Sequence, residues 1–312
     1  MILGASNADI ELRPPVMMDK MPCAVVDNLS IGNENITELR QTALIALKNR
    51  QLVPGHRDIY VLGIWFGLFG DSKDRWNSAD RPNAETDLDL EFQRYGVYTK
   101  QGELYRPWGG ASFEPLLSVL VSPFAMVEKI SRAASLRARS FFFVRPDVRS
   151  EGEREAASFS DEQKAAAVRY WHQQLGFKDQ LSSTQFALLE KTIADITQDG
   201  DKVVIVDLPI PDWWASAVPM YREYKDKISE MKQRFVGNDA VKFIEVNGYP
   251  SQASFSDEVH AKPSVAKAIG ETIATYLNRI GCTSSGSASE WDGRFDHGHA
   301  NEASAGIPGR IR

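Results

Sequence analysis

Residues 1–14, MILGASNADIELRP, hold a short apolar run that stops at Gly4-Ala5-Ser6, followed by residues that read as a helix start. A strand ending there leaves the Ser6 hydroxyl at the carboxyl edge of a sheet, where open α/β folds keep their ligand sites. The run is shorter than a usual strand of about 5–6 residues. That shortness points to a further segment ahead of Met1, of a targeting or anchoring kind.

Working outward, apolar runs at residues 2–5, 23–28, 59–65, 203–208 and 241–246 alternate with amphipathic stretches. This is the pattern of parallel strands joined by crossover helices. In NITELRQTALIALKNR, residues 35–50, Leu39, Ala43, Leu44 and Leu47 recur at helical spacing. Further helical patterns cover 161–175, 183–197 and 221–235. From 67 to about 159 the rhythm breaks into a long insertion after the third strand, with a hairpin around Lys100-Gln101-Gly102 and a helix over 113–139 that Pro115 and Pro123 start or kink. An insertion of that length at a strand's carboxyl end reads as a lid over a site, with a self-packed cap as the plainer alternative. It carries Arg75, Trp76, Arg94, Tyr98, Tyr105 and Trp108, side chains suited to sugar rings and anionic groups. Residues 282–312 are rich in Gly, Ser and Asp and read as a disordered tail. The expectation is one domain over 1–281, a three-layer, flavodoxin-like α/β fold with a parallel sheet.

Composition narrows the function. A chain of 312 residues with 43% hydrophobic content can bury a full core. Its net charge of −6, with basic residues scattered, gives no footprint for nucleic acid. Cys23 and Cys282 show no metal spacing and suggest no disulfide framework. No stretch reaches the roughly 18 apolar residues of a membrane span, and no targeting segment is present in the chain itself.

The second informative string is SFSDEVHAKPSVAKAIGETIATYLNR, residues 254–279, in which Ala266, Ile269, Ile273 and Leu277 mark a helix able to lie on the sheet. Asp257 and His260 stand just ahead of it. Three residues apart, a carboxylate can reach an imidazole and fix its tautomer, and an oriented histidine can take the proton of a serine hydroxyl. The order Ser6, Asp257, His260 is thus that of a nucleophile followed by its charge partner and base. Taken singly, Ser6 also reads as a helix cap, and Asp257 and His260 as a capping carboxylate beside a surface histidine.

Gly4-Ala5-Ser6-Asn7, Asn28-Leu29-Ser30-Ile31-Gly32 and Asp257-Glu258-Val259-His260 resemble the blocks of the SGNH/GDSL hydrolase superfamily. Within it, ILGASNADIELRP and VVIVDLPIP are most similar to the branch of the D-alanyl-lipoteichoic acid biosynthesis protein and the acyltransferases of exopolysaccharide O-acetylation. The resemblance implies a Ser6 nucleophile, a His260 base oriented by Asp257, and an oxyanion hole from the backbone N–H groups of Ser6 and Gly32. It implies no cofactor and no metal. Its implied substrates are an acyl ester or acyl donor and a polysaccharide of the cell envelope, with a membrane acyltransferase as partner and an extracytoplasmic or membrane-associated location. One block departs from the family pattern: Gly63-Ile64-Trp65-Phe66-Gly67 stands where the superfamily has Gly-X-Asn-Asp, so one oxyanion donor is missing. That loss favours the alternative of a non-catalytic carbohydrate- or partner-binding domain.

Asn7, Trp65, Asp212, Trp213 and Trp214 complete the candidate site as substrate contacts. PIPDWW, residues 209–214, would carry the last three on a loop at the sheet's active edge, whereas core packing competes for Trp65 and Phe66.

Overall fold

In a computed structural model, the described residues are 1–32, 34–50, 57–70, 150–174, 181–198 and 200–281. Four strands, β1 (Ile2–Gly4), β2 (Ile59–Ile64), β3 (Lys202–Asp207) and β4 (Val241–Glu245), form one sheet in the order β1-β2-β3-β4, with every pairing parallel. The strands are runs of Val, Ile and Leu because both faces are covered. Leu3, Leu62, Ile64, Val203 and Ile205 face one layer, and Ile2, Val61, Val204, Val206 and Ile244 the other.

On the first face lie α3 (Ile36–Asn49), α6 (Ser183–Gln198) and α8 (Met220–Arg234). Asn35 starts α3 with a capping box, its side chain accepting from Thr37 and Glu38 N–H while Glu38 reaches back. On the second face lie α1 (Ser6–Glu11), α2 (Pro14–Met18) and α9 (Pro263–Gly281). Ala266, Ile269, Ile273 and Leu277 make the buried stripe of α9. Between these, α4 (Glu151–Glu155), α5 (Asp161–Gln174) and α7 (Asp212–Ala217) border the carboxyl edge of the sheet. The result is a three-layer α/β fold consistent with the flavodoxin-like class.

The run at 23–28 does not form a strand. Residues 21–26 leave the sheet, and only at Asp27 does the chain join β1, through Ile2 N–H to Asp27 O (2.8 Å), Leu29 N–H to Ile2 O (2.9 Å) and Ile31 N–H to Gly4 O (2.9 Å). With this segment counted, the lateral order becomes the 2-1-3-4-5 of doubly wound sheets. The chain moves outward from β1 through α1 and α2, then back across β1 through α3 to β2. Crossovers on opposite faces part at the carboxyl end of β1, and Ser6 stands at that switch point.

PIPDWW also differs from expectation: Pro211 caps α7, so Asp212, Trp213 and Trp214 lie on a helix. Cys23 is disulfide-bonded, contrary to the reading from spacing; Cys282 is the chain's one other cysteine. At the start of the long insertion, Phe66–Phe69 forms a 3-10 helix buried in the core. The hairpin, the 113–139 helix and the 282–312 tail lie outside the described residues.

Candidate active site

Ser6 is positioned by close packing of α1 on the sheet. A Cβ on Gly4 would meet Gly63 O at 2.5 Å and the Ala8 Cβ at 2.6 Å, and one on Gly63 would meet the same Ala8 carbon at 2.7 Å. Gly4 also adopts a φ of 151°, in the range that favours glycine. These two glycines let the helix begin directly after the strand, with Ser6 as its first residue. From the other side, Asn28 Nδ2 donates to Ala8 O (3.4 Å) and Leu12 O (3.2 Å), holding the end of α1.

His260 and Asp257 come from a tight loop between β4 and α9. Phe255 and Ala261 form an antiparallel bridge, Ser256 N–H donates to His260 O (2.9 Å), and the buried side chains of Phe255 and Val259 anchor the turn. Asp257 Oδ1 accepts from the N–H groups of Val259 (2.9 Å) and His260 (2.8 Å). Its other oxygen is thereby aimed at the imidazole, with Oδ2 2.8 Å from His260 Nδ1. His260 Nε2 is in turn 2.8 Å from Ser6 Oγ. The His260 and Asp257 side chains keep 23% and 19% of their exposure, enough for substrate to reach them.

Burial opposes the cationic form of His260, but the hydrogen bond and charge of Asp257, with the charge of Glu258, outweigh it against a smaller opposing effect of Arg154. The imidazole pKa is therefore raised above its ordinary value. Burial also pushes the Asp257 carboxyl up, yet the hydrogen bond and charge of His260 and the two backbone donors prevail and hold it below the usual range. A base of raised affinity for protons, paired with a firmly ionised carboxylate, is suited to taking a hydroxyl proton.

Ser6 N–H, at the first position of α1, has no acceptor within the helix. Gly32 follows Ile31, whose N–H is held by Gly4 O, so it lies beside the end of β1; it is exposed, and nothing crowds the space where a Cβ would stand. Both groups expected from sequence as oxyanion donors thus flank β1, the strand that leads into Ser6. Trp65, at the end of neighbouring β2, is packed edge-on against Phe66 (5.0 Å) and Trp171 (5.3 Å). An aromatic core residue stands where the resemblance calls for an asparagine.

The other candidate contacts divide by burial. Asn7, Trp65 and Trp214 are buried, Trp65 and Trp214 in the core on the α3 side of the sheet. Trp213 is half-buried, and its indole N–H donates to Gln252. Asp212 is exposed, its N–H bonded to Pro250 O (2.9 Å), and it lines a cavity of about 230 Å³ with Tyr221, Lys225, Glu245 and Tyr249. That cavity opens at the carboxyl ends of β3 and β4, on the same sheet edge as the triad. A larger cavity of about 560 Å³, lined by Met1, Met17, Ile45 and Leu277 among others, opens at the amino ends of β1 and β2, away from the triad.

Sequence reasoning missed three residues around the site. Glu11, 1% exposed at the end of α1, accepts from Ala261 N–H (3.4 Å) and so links the helix that begins at Ser6 to the His260 loop. Burial first, and the Asp257 charge as well, push its carboxyl well above the usual range. Trp171 Nε1–H donates to Glu258 (2.9 Å), and Arg154 acts on His260 as described. Only a fold-level view could find them, because each acts on a partner tens of residues or more away in sequence.

Among the described residues, no group of three or more His, Cys, Asp or Glu is placed to hold a metal ion, and no helix is long and apolar enough to cross a membrane. No protein-family model matches the chain, and no curated protein matches it.

Proposed function

We propose that the protein is a serine-dependent acyl-ester hydrolase or O-acyltransferase of the SGNH type, working through an acyl-enzyme on Ser6. One observation carries the reading: the unbroken relay from Ser6 Oγ through both ring nitrogens of His260 to Asp257, each step 2.8 Å. In the reaction His260 Nε2 removes the Ser6 proton as Oγ attacks the ester carbonyl. The carbonyl oxygen gains the negative charge and is held by the N–H groups of Ser6 and Gly32. His260 then returns the proton to the departing alkoxide, leaving acyl-Ser6 and a free alcohol. Water or a sugar hydroxyl, deprotonated by the same histidine, completes hydrolysis or transfer.

An acylated carbohydrate or cell-envelope polymer is the substrate class that the sequence resemblance favours, with a membrane acyltransferase as partner. The disulfide at Cys23 fits an extracytoplasmic site of action. The test is labelling with a neutral fluorophosphonate, followed by intact-mass measurement. Wild type gains one adduct, and Ser6→Ala gains none. Absence of labelling from pH 6 to 9 would instead favour a non-catalytic carbohydrate- or partner-binding domain, the reading to which Trp65 in the place of the asparagine donor lends weight.

A further inference from the structure

Helix α4 joins the two parts of the chain that carry the triad. Glu151 pairs with Arg13, just past α1, at 2.5 Å, and Glu155 accepts from Ser264 N–H (3.0 Å) and Oγ (2.6 Å) at the start of α9. Residues 151, 154 and 155 share a helix face, so Arg154 lies on the face turned toward those segments. Its charge reaches His260 and disfavours the imidazolium.

The carboxylates around Arg154 are engaged elsewhere: Asp257 with His260, Glu258 with Trp171, Glu151 with Arg13, Glu155 with Ser264. Among the described residues none pairs with the Arg154 guanidinium, and its Nε is buried without a hydrogen-bond partner. Arg154 is half-buried, and its terminal nitrogens are not among the buried unpartnered atoms, so the guanidinium fork is left to meet an incoming anion while its Nε forgoes a partner. It also weakens the base it stands beside. A planar guanidinium fork matches a carboxylate or phosphate with two parallel hydrogen bonds.

We propose that Arg154 is a specificity-determining residue that binds an anionic group, carboxylate or phosphate, on the substrate next to the scissile ester. The proposal rests on the acyl-transfer reading above for its substrate and on the geometry of α4 for its site. Anion binding there completes the charge balance of the site: the guanidinium gains its partner, and His260 recovers the basicity that Arg154 removes. The enzyme is then most active on anionic substrates.

Two arms test it. In the first, His260 is titrated by NMR with and without inorganic sulfate, which stays dianionic across the range. Wild type shows a saturable rise in the His260 pKa with sulfate. Arg154→Gln starts from a higher pKa and loses the response. An unchanged sulfate response in Arg154→Gln, or none in wild type, overturns the proposal, and this arm needs no turnover.

In the second arm, kcat/KM is compared for an O-acetylated methyl glucuronide and its methyl ester, and for an acetylated sugar phosphate and the uncharged sugar. Arg154→Gln reduces the preference for one anionic member about tenfold or more, Arg154→Lys restores part of it, and the affected pair identifies the anion. Equal losses on charged and neutral substrates would assign Arg154 to the transition-state oxyanion and refute recognition of a substrate anion. If no ester is turned over and Ser6 is not labelled, the acyl-transfer reading fails, whereas the sulfate arm still decides whether the anion site exists.

Discussion

Replacing Asp257 by Asn tests the triad at its most constrained point. Oδ1 of Asp257 is held by two backbone N–H groups, at 2.9 and 2.8 Å. In the asparagine variant only the amide oxygen can occupy that position, because an NH₂ there would meet two donors. The NH₂ must then face His260 Nδ1, 2.8 Å from where Oδ2 stood, and donate to it. The imidazole proton moves to Nε2, the nitrogen facing Ser6 Oγ, and the base can no longer accept from the hydroxyl. An otherwise intact triad with the wrong tautomer loses on the order of 10⁴ in kcat, or about 5.5 kcal/mol of barrier at 1.36 kcal/mol per decade. The assay pairs kcat for a p-nitrophenyl ester with ¹⁵N spectra of His260, which report the protonated nitrogen directly. Residual activity should still exceed that of Ser6→Ala. A kcat within tenfold of wild type, or spectra with Nε2 unprotonated, would refute the reasoning. So would a variant whose plateau rate is unchanged and whose acid limb merely shifts, since Asp257 would then supply charge without orientation.

Other expectations are directly measurable. The rate should fall on the acid side through an ionisation above the ordinary imidazole value of about 6.5, because Asp257 raises the His260 pKa despite burial; a midpoint at or below 6.5 in kcat/KM speaks against this. Glu11→Gln should stabilise the fold increasingly as pH rises. The folded-state pKa of Glu11 is raised, so above the unfolded value the unfolded chain releases a proton that the native state keeps, and wild type loses about 1.4 kcal/mol per pH unit from this group until the native acid also ionises. Denaturation midpoints of the two proteins from pH 4 to 8 should diverge, and parallel curves exclude a neutral Glu11. Gly4→Ala should cost at least about 3 kcal/mol in urea unfolding, the sum of strained backbone and overpacking, given a φ of 151° and contacts at 2.5 and 2.6 Å; a loss under about 1 kcal/mol would show that α1 can move off the sheet freely.

What was legible in the sequence follows from the range of the forces involved. The apolar spacing of α9 and of α3 depends on neighbours within a few residues, and both helices form where that spacing placed them. Asp257 and His260 were readable because three residues of spacing fix their relation locally. The run at 23–28 misled because its apolar residues carry strand propensity, while pairing depends on β1, which bonds to 27–31 instead. Trp213 and Trp214 were read from the prolines around them; Pro211 in fact starts a helix and turns Trp214 into the core. The position of Arg154 could not be read at all, since what matters there is which distant carboxylates already have partners.

Ser6 and His260, 2.8 Å apart in the fold, are 254 residues apart in the chain. During synthesis His260 follows Ser6 by 254 residues, so at about 5–20 residues per second the serine waits on the order of 13–50 s for the imidazole that contacts it. Throughout that interval Ser6 carries an ordinary hydroxyl, which on the proposed acyl-transfer reading is a weak nucleophile. The Ser6–His260 contact forms only when the loop before α9 docks against α1. A chain that ends anywhere between the two residues carries Ser6 without its histidine partner.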